Sequence, residues 1–369
     1  MRLQLIPTCA TAVGPLRLGF LLPLALVSSL ENLSHSQERE AGDGEIHTRT
    51  LVYDDDDATT VISSYAGADV TLPGQVVVGA HVLLDSVSSA SVDVLSAATT
   101  RWEEDRVEVG ASLGTIVSGQ ELSLGVVRSE ENDWRSLSLQ VGTAREFFQR
   151  NTRVSASFAF TNNDVGRARD PNFEESLTST SMELGIGQLV DQKTRVGGAY
   201  SFQRLSGYQS SPYRFVSTLD GSTMAELHPG TRQRHAISGF AMRSLHESTS
   251  VRVGYRLYRD DWGIWSHTAT LGFRFAFAKH FGATLDGRFY QQNRADFYRN
   301  NYQTTLRYMS FDRELSTFRD TSAHFGLTAK LGPALVDVKA GIIRYRFRNF
   351  DSLPKRRALL LGGGLKLLW

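Results

Sequence analysis

Apolar and polar residues alternate with a period of two along many short stretches of the chain. In SVRVGYRLY, for example, Val251 and Val253 fall on one face of an extended chain, and Arg252 falls between them on the other. The same alternation recurs in TRVSASFAF, HTATLGFRFAFA, FGATLDGRFY and SAHFGLTAKL. A period of two is typical of a β-strand with one apolar and one polar face. The pattern therefore predicts an all-β protein.

The spacing of these strands indicates how they are connected. They begin near positions 75, 101, 119, 134, 152, 174, 193, 231, 248, 265, 281, 320, 334 and 358. Tight connections alternate with long ones such as 207–230 and 293–319, as in bacterial outer-membrane barrels with short periplasmic turns and long outer loops. A soluble sandwich is the alternative, but it rarely has so many long strands. We expect a transmembrane antiparallel up-and-down β-barrel of about 14 strands, with 12 or 16 as alternatives.

Two details of this prediction concern particular segments. The strand at 231–245 alternates only weakly. The strand at 334–348 changes parity near Gly341, where we place a β-bulge.

The chain divides into three parts. Basic residues precede the apolar run LGFLLPLALVSSL, which is too short to span a membrane, so residues 1–36 are interpreted as a signal peptide for export. Cys9, the one cysteine, lies within it, which would leave the mature chain without a thiol. Residues 37–74 are interpreted as an acidic periplasmic segment and residues 75–369 as the barrel. The predicted location is the bacterial outer membrane.

The last predicted strand reads ALLLGGGLKLLW. Leu365, Leu367 and Trp369 share one face, as expected for a strand with an apolar outer face. A final strand of this kind with a terminal aromatic residue looks like the signal by which the barrel-assembly machinery recognises its clients. The three glycines before it have no side chains with which to fill the lumen wall, or they let the strands pack tightly where the barrel closes.

Charge adds a candidate site. The 40 basic and 39 acidic residues nearly cancel, which gives no reason to expect nucleic acid as a partner. On the inward faces, however, basic residues outnumber acidic ones. Rings of basic residues attract anions and repel cations. The alternative is a ladder of arginines and carboxylates that braces a plugged barrel. The candidate basic cluster of the lumen is Arg252, Arg256, Arg274, Arg288, Lys330, Arg344 and Arg346.

Several longer sequence segments resemble those of a known family. They are VSSASVDVLSAAT, PYRFV, YRLYRDDWGIWSHTATLGF, RADFYRN and ELSTFRDTSAHFGL, and they are spread over most of the chain. They are similar to the bacterial family catalogued as domain of unknown function 3570, whose members are predicted outer-membrane barrels often encoded near thioredoxin-like and flavin-transfer proteins. The resemblance implies a barrel and suggests a periplasmic redox partner. It supplies no catalytic residues.

One constellation resembles a catalytic site. Asp260 and Asp261 precede the loop WGIW and His267 follows it, as in the acidic and histidine clusters that activate water. The alternative, which we favour, is a turn whose aspartates bond backbone amides or pair with Arg256 and Arg259. Ser266 adjoins His267, but neighbouring residues of a strand point to opposite faces. We therefore expect no enzyme and no cofactor.

Metal binding is the other chemistry to weigh. YDDDDATT, at positions 53–60, offers four consecutive carboxylates, but it lacks the alternate spacing and central glycine of a calcium loop. We interpret it as a mobile lead-in that could dock a periplasmic partner. His81, His235 and His324 form no HxxxH or HxH motif, so no metal site is expected.

Three functions remain in order of preference. The first is a pore or transport barrel with a basic lumen, surrounded by outer-membrane lipid. The second is a structural barrel that anchors an exported redox or assembly partner. The third is an outer-membrane hydrolase.

Overall fold

The computed structural model describes residues 40–89, 102–168 and 170–369. Sixteen strands, each antiparallel to its neighbours, form a closed barrel in which β1 pairs with both β2 and β18. The first eight strands of the barrel are β1 Gly44–Asp55, β2 Thr59–Leu72, β3 Val76–Ser89, β4 Trp102–Val117, β5 Gln120–Glu130, β6 Trp134–Phe147, β7 Thr152–Val165 and β8 Glu175–Asp191. The others are β9 Thr194–Gly207, β12 Thr231–His246, β13 Thr249–Asp260, β14 Trp265–Phe277, β15 Phe281–Gln292, β16 Phe318–Leu331, β17 Ala334–Phe347 and β18 Lys355–Leu368. A small hairpin, β10 Phe215–Ser217 and β11 Thr223–Ala225, lies in the loop between β9 and β12.

The strand count of 14 is corrected to 16, the larger alternative. Every predicted strand is present, and the two additional strands, β1 and β2, come from the segment that we had interpreted as periplasmic. Residues 37–74 are therefore not a separate acidic segment, because the barrel begins at Gly44. Threonine and serine occupy several outward positions of β1 and β2, so their apolar alternation is weak. The predicted signal peptide, residues 1–36, lies outside the described residues.

The alternation of short and long connections is confirmed in part, because one end has only short connections, whereas the other has the long ones together with three short ones, 56–58, 131–133 and 261–264. At one end of the barrel, the short-turn end, the connections are 73–75, 118–119, 148–151, 192–193, 247–248, 278–280 and 332–333. At the opposite, long-loop end, they include 208–230, 293–317 and 348–354. Ser118 and Gly119 both have positive φ, at 51° and 76°, as a two-residue hairpin turn that matches strand twist requires. Gly44 and Trp369 exchange two backbone hydrogen bonds at the short-turn end, each of 3.1 Å.

Strand β17 shows that the bulge predicted near Gly341 is wrong. Its pairing with β16 and β18 is continuous from end to end. Outward positions are apolar as far as Ile342 and then become basic at Arg344, while the inward Ile343 and Tyr345 are buried. The parity of the apolar residues changes because the interior becomes apolar near the long-loop end. The backbone itself does not shift.

Two long loops close the long-loop end of the lumen. The loop cap, residues 208–230 and 293–317, is joined by backbone bridges between Thr218 and Tyr302 and between Leu227 and Met309. Its buried apolar residues form two small clusters, which include Trp262 of the β13–β14 connection. The cap also contacts other connections at this end, through Arg313 to Asp57 and through a hydrogen bond from the Tyr298 hydroxyl to the carbonyl of residue 349. Folded chain therefore bridges the long-loop end of the lumen.

Within the described ranges, the structure has no helix that is both long enough and apolar enough to cross a membrane.

Candidate functional site

Four arginines of the candidate cluster line one side of the lumen. Arg252 and Arg256 lie on β13, Arg274 on β14 and Arg288 on β15. Arg256 pairs with Ser238, which lies on the same face of β12 as the buried Ala236. This is the inward face of the sheet. We call these four residues the basic wall. Lys330 shares the inward face but lies at the short-turn mouth, where it is exposed.

Arg344 and Arg346 do not belong to the lumen. Arg344 lies opposite Arg357, and Arg346 lies opposite Lys355, on the outward face of β17 and β18. Tyr345, between them in sequence, is the residue that points inward and is buried. Their assignment to the lumen was wrong because it depended on the bulge that the strand does not contain.

The opposite side of the lumen is acidic. An acidic wall is formed by lumen-facing carboxylates of strands β1 to β5: Glu45, Asp69, Asp85, Glu104, Glu108 and Glu121. In the barrel order, β13, β14 and β15 lie eight places from β3, β4 and β5, and so directly across the lumen. Sequence reasoning placed Asp85 and Glu108 on the inward face but missed the other four, of which Glu45 and Asp69 were missed because β1 and β2 were not recognised. The polar parity of GEIHTR was the signal that could have revealed it.

Each wall has ion pairs with strands close to it in the barrel. On the acidic wall, Arg106 contacts Asp85 at 3.3 Å and Glu108 at 3.2 Å. On the basic wall, Arg288 pairs with Asp320 of the neighbouring strand. The guanidinium of Arg252 lies 4.5 Å from the centre of the Phe240 ring, a cation–π contact. Arg252 and Arg256 are nevertheless exposed within the lumen.

The glycines of the last strand serve the closure of the barrel. Gly364 faces the lumen, and a Cβ atom there would lie 2.7 Å from Asp337 and 3.0 Å from Arg49. Because the glycine has no side chain, Arg49 of β1 reaches across β18 to Asp337 of β17, with an N–O distance of 2.7 Å. A second ion pair joins Lys366 to Glu45 at 2.7 Å, directly across the junction of β1 and β18.

The residues of the candidate assembly signal lie at the short-turn end of β18. Leu365, Leu367 and Trp369 occupy outward positions and are 39%, 38% and 56% exposed. They continue the apolar outward band of the barrel down to its edge.

The structure does not bring the candidate catalytic residues together. Asp260 is buried on the inward face, where its carboxylate accepts hydrogen bonds from the backbone N–H groups of Trp262 and Ile264 and from Arg232. His267 points outward, and its Nδ1 lies 2.5 Å from the Tyr255 hydroxyl. The turn interpretation is confirmed for Asp260, although its arginine partner is Arg232 and not Arg256 or Arg259.

The acidic run 53–60 is part of the barrel, so the interpretation as a mobile lead-in is wrong. It lies at the long-loop end, where one Asp55 oxygen accepts hydrogen bonds from the N–H groups of Asp57 and Thr59. Asp57 forms a buried ion pair with Arg313 of the loop cap. These contacts hold the turn against the cap, at the end of the barrel opposite the described chain termini.

Two groups of side chains in the described residues have the spacing of metal ligands. One is Glu45, His47 and Asp69 near the short-turn mouth, and the other is Glu104, Glu131 and Asp133 at the long-loop end. Glu45 already pairs with Lys366. In the second group, burial raises the pKa of the Glu131 carboxyl to about 7. A bound proton can therefore offset part of the repulsion among these carboxyls.

The three histidines considered for metal binding lie far from one another in the barrel. His81 and His324 face the lumen from β3 and β16, and each ring lies against a glycine of the adjoining strand. His235 faces outward, with its Nδ1 2.8 Å from the Tyr200 hydroxyl.

Comparison with known proteins gives a family and a fold. A family model described as "Protein of unknown function (DUF3570)" matches residues 94–352. No curated protein matches the sequence.

Among solved structures, a bacterial polysaccharide outer membrane secretin is similar with a TM-score of 0.53 and 8% identity, over 89% of this chain and 98% of that one. CdiB from Acinetobacter baumannii is similar with a TM-score of 0.51 and 9% identity over 88% of this chain, which spans 60% of CdiB. An OmpT loop-deletion mutant, an outer membrane protein of Vibrio cholerae, has a TM-score of 0.49 and 13% identity, over 89% of this chain and 100% of that one.

Proposed function

Because the chain belongs to the family described as protein of unknown function DUF3570, and its fold is similar to that of outer-membrane barrels, we propose that it is an outer-membrane pore for small charged solutes. Its outward face supports this location, since large apolar side chains such as Leu139, Phe160 and Leu271 are exposed around the barrel. An exposed apolar band on a closed sheet matches the lipid-facing surface of a membrane barrel. The short-turn end would then face the periplasm, and the loop cap the cell exterior.

The exposure of Arg252 and Arg256 inside the lumen is the observation that carries the pore proposal. A buried arginine without a counter-charge would cost several kcal/mol in a dry interior, so the exposed Arg252 and Arg256 require water around them. On the acidic wall, Glu45, Asp85 and Glu121 are buried and paired with basic side chains, so the exposed charge of the lumen comes mainly from the basic wall. Small anions would pass along the basic wall, and added salt would weaken the preference.

The test is conductance of the full-length protein in planar bilayers under a salt gradient. We expect wild-type conductance to be anion-selective, and Arg252→Glu/Arg256→Glu/Arg274→Glu to shift the reversal potential toward cations. The matched control is Arg344→Glu/Arg346→Glu, which changes outward arginines and should leave the reversal potential unchanged. Cation preference in the wild type, or an equal shift in both variants, would contradict the lumen assignment.

The second candidate function is a structural barrel that anchors an exported redox or assembly partner. The loop cap favours it, because folded chain with buried clusters bridges the outer mouth. Deleting residues 299–311 separates the two candidates. Conductance that rises on deletion supports a pore restricted by the cap, whereas no conductance in either form supports the structural barrel.

We also propose that the barrel is not an enzyme. Asp260 is held by backbone amides on the inward face and His267 lies outside the wall, so the two cannot act on one substrate atom. Hydrolysis of lipid or peptide by the purified wild type, abolished in a folded Asp260→Ala/Asp261→Ala/His267→Ala variant, would overturn this.

Leu365, Leu367 and Trp369 are proposed as the signal for the barrel-assembly machinery. Their outward, exposed side chains at the edge of the closing strand are accessible to a partner before closure. Deleting Trp369 should lower the amount of heat-modifiable barrel in outer-membrane fractions. Leu361→Ala, an outward change higher on the same strand, is the control.

A further inference from the structure

The outward face of β16, β17 and β18 carries a group of cations just above the apolar band. We call it the basic belt, and its residues are Arg319, Arg344, Arg346, Lys355 and Arg357. Arg344 lies directly opposite Arg357, and Arg346 lies between Arg319 and Lys355 in one cross-strand row. All of them lie near the long-loop end of their strands.

Like charges directly opposite each other destabilise a sheet, because their Cβ atoms are only about 5 Å apart. Within the described part of the chain, no carboxylate forms an ion pair with a basic-belt residue. Two carboxylates beside the belt, Asp54 and Asp56, accept hydrogen bonds of 2.7 Å from the Thr60 hydroxyl and from the backbone N–H of Arg357. The side chains of the belt are therefore without a direct carboxylate partner in the described residues.

Below the basic belt, β1 and the same three strands have an apolar groove on their outward face. The groove has a volume of about 440 Å³ and is lined by Val52, Phe325, Leu327, Val338, Leu361 and Gly363. It exists because Gly363 has no side chain on a face where its neighbours carry large ones. A Cβ atom there would meet no atom closer than 3.6 Å.

The distance between belt and groove matches one leaflet of a membrane. Gly363 lies six residues from Arg357 along β18, which is about 20 Å of strand. At a strand tilt of about 40°, this is about 15 Å along the barrel axis, or roughly half the hydrocarbon thickness of a bilayer. An acyl chain whose head group lies at the belt would therefore end in the groove.

We propose that the basic belt and the groove below it form a binding site for the phosphorylated lipid of the outer leaflet, the lipid anchor of lipopolysaccharide. Guanidinium groups bind phosphate oxygens with paired, charge-assisted hydrogen bonds, and a cluster of cations beside an apolar surface is a lipid head-group site. The phosphates supply the missing counter-charge, and one acyl chain fills the groove. This inference rests on the proposed outer-membrane location, with the long-loop end outward.

The experiment measures binding to the full-length protein in mild detergent by native mass spectrometry. The probes are bisphosphorylated lipid A, the same lipid with its phosphates removed, and phosphatidylglycerol. The wild type should bind bisphosphorylated lipid A at least tenfold more tightly than either other lipid. Arg344→Gln/Arg346→Gln/Lys355→Gln/Arg357→Gln should lose most of this preference.

The matched control is Arg128→Gln/Arg135→Gln. These arginines also point outward near the long-loop end, but each lies beside Glu130, and Arg128 pairs with it. The control should bind like the wild type. Gly363→Leu, which fills the groove without changing charge, should weaken binding several-fold.

Equal wild-type binding of phosphorylated and dephosphorylated lipid would overturn the inference without any variant, as would wild-type affinity in the quadruple variant. Capture of an acidic protein by the belt, in place of lipid, would also overturn it. Failure of the wild type to reach the outer-membrane fraction would instead refute the location. Conductance measured in bilayers free of lipopolysaccharide tests the pore separately.

Discussion

The two halves of the barrel interior differ in what fills them, although the same strands build both. Toward the short-turn end, β18 presents Gly364 and Lys366 to a lumen lined with charges. Toward the long-loop end, the same face presents Arg356, Ala358 and Leu360, which are 0%, 3% and 1% exposed. On this strand, the first half borders an accessible, charged part of the lumen, which we call the wet half, and the second, the packed half, is buried like the core of a soluble protein. A period of two thus reports that a strand has two faces, but it does not report which face is apolar.

The packed half also contains a buried charge. The Arg356 guanidinium lies over the Tyr345 ring, 4.2 Å from its centre, and one of its nitrogens is 3.6 Å from Asp55. The Tyr53 hydroxyl donates a hydrogen bond to the same carboxylate. Dense packing makes each of these contacts sensitive to substitution, whereas the wet half can replace a lost contact with water.

The largest contrast is expected from removing a carboxylate in each half. Asp55→Ala leaves Arg356 buried without its counter-charge, so the free energy of unfolding should fall by about 3–5 kcal/mol. Asp286→Ala in the wet half, where the carboxylate is 33% exposed and 3.9 Å from Lys339, should cost about 1 kcal/mol or less. Urea unfolding in detergent, followed by heat-modifiable migration, measures both. Equal losses would show that the halves do not differ.

Adjacent isoleucines of β17 test the continuous register. Ile343 is inward and 5% exposed, so Ile343→Ala should lower the free energy of unfolding by about 2–4 kcal/mol. Ile342 is outward and 45% exposed, and Ile342→Ala should change it by about 0.5 kcal/mol. The same unfolding assay compares the two. A larger loss of unfolding free energy in Ile342→Ala would contradict the continuous register and would support a bulge near Gly341.

Enlarging an inward side chain should be tolerated only in the wet half. Ala358→Leu inserts three carbons into the packed cluster around Tyr53 and Tyr345, and overpacking of this kind costs about 1–3 kcal/mol. Gly364→Ala places a methyl group against Arg49 and Asp337, whose side chains can move into water, so it should cost less than about 1 kcal/mol. Thermal unfolding in detergent measures the loss of stability in each variant, and we expect the larger loss in Ala358→Leu. The reverse order would argue against a wet lumen at Gly364.

The last contrast concerns pH. Glu131 lies in the connection between β5 and β6, and burial raises its pKa from 4.5 to about 7 in the folded chain. A raised carboxyl pKa favours the protonated folded state. Its contribution to stability is therefore present below the unfolded pKa and is lost as pH rises through the folded pKa. Glu131→Gln should flatten the stability profile between pH 4.5 and about 7.

Much of the fold followed from local patterns in the sequence. Strands with an apolar outward face and tight hairpin turns are set by neighbouring residues, so every strand from β3 onward except the small β10–β11 hairpin was predicted. β1 and β2 were missed because threonine and serine at outward positions hide the alternation. Glu45 and Asp69 of the acidic wall were missed with them, since they lie on those strands, whereas Asp85 and Glu108 were placed on the inward face. Arg252, Arg256, Arg274 and Arg288 could be placed because their strands alternate clearly.

The sequence by itself determined that the chain is all-β, that its strands are joined by alternating short turns and long loops, and that they have two distinct faces. These properties depend on contacts between near neighbours. Only the tertiary structure decided which end of the lumen is filled, that β13–β15 lie opposite β3–β5, and that Arg344 and Arg346 point outward. The reason is that inward side chains of different strands pack against one another near the long-loop end, as in the cluster of Tyr53, Ile343 and Tyr345. Packing between residues far apart in sequence leaves no period in the chain by which it could be recognised.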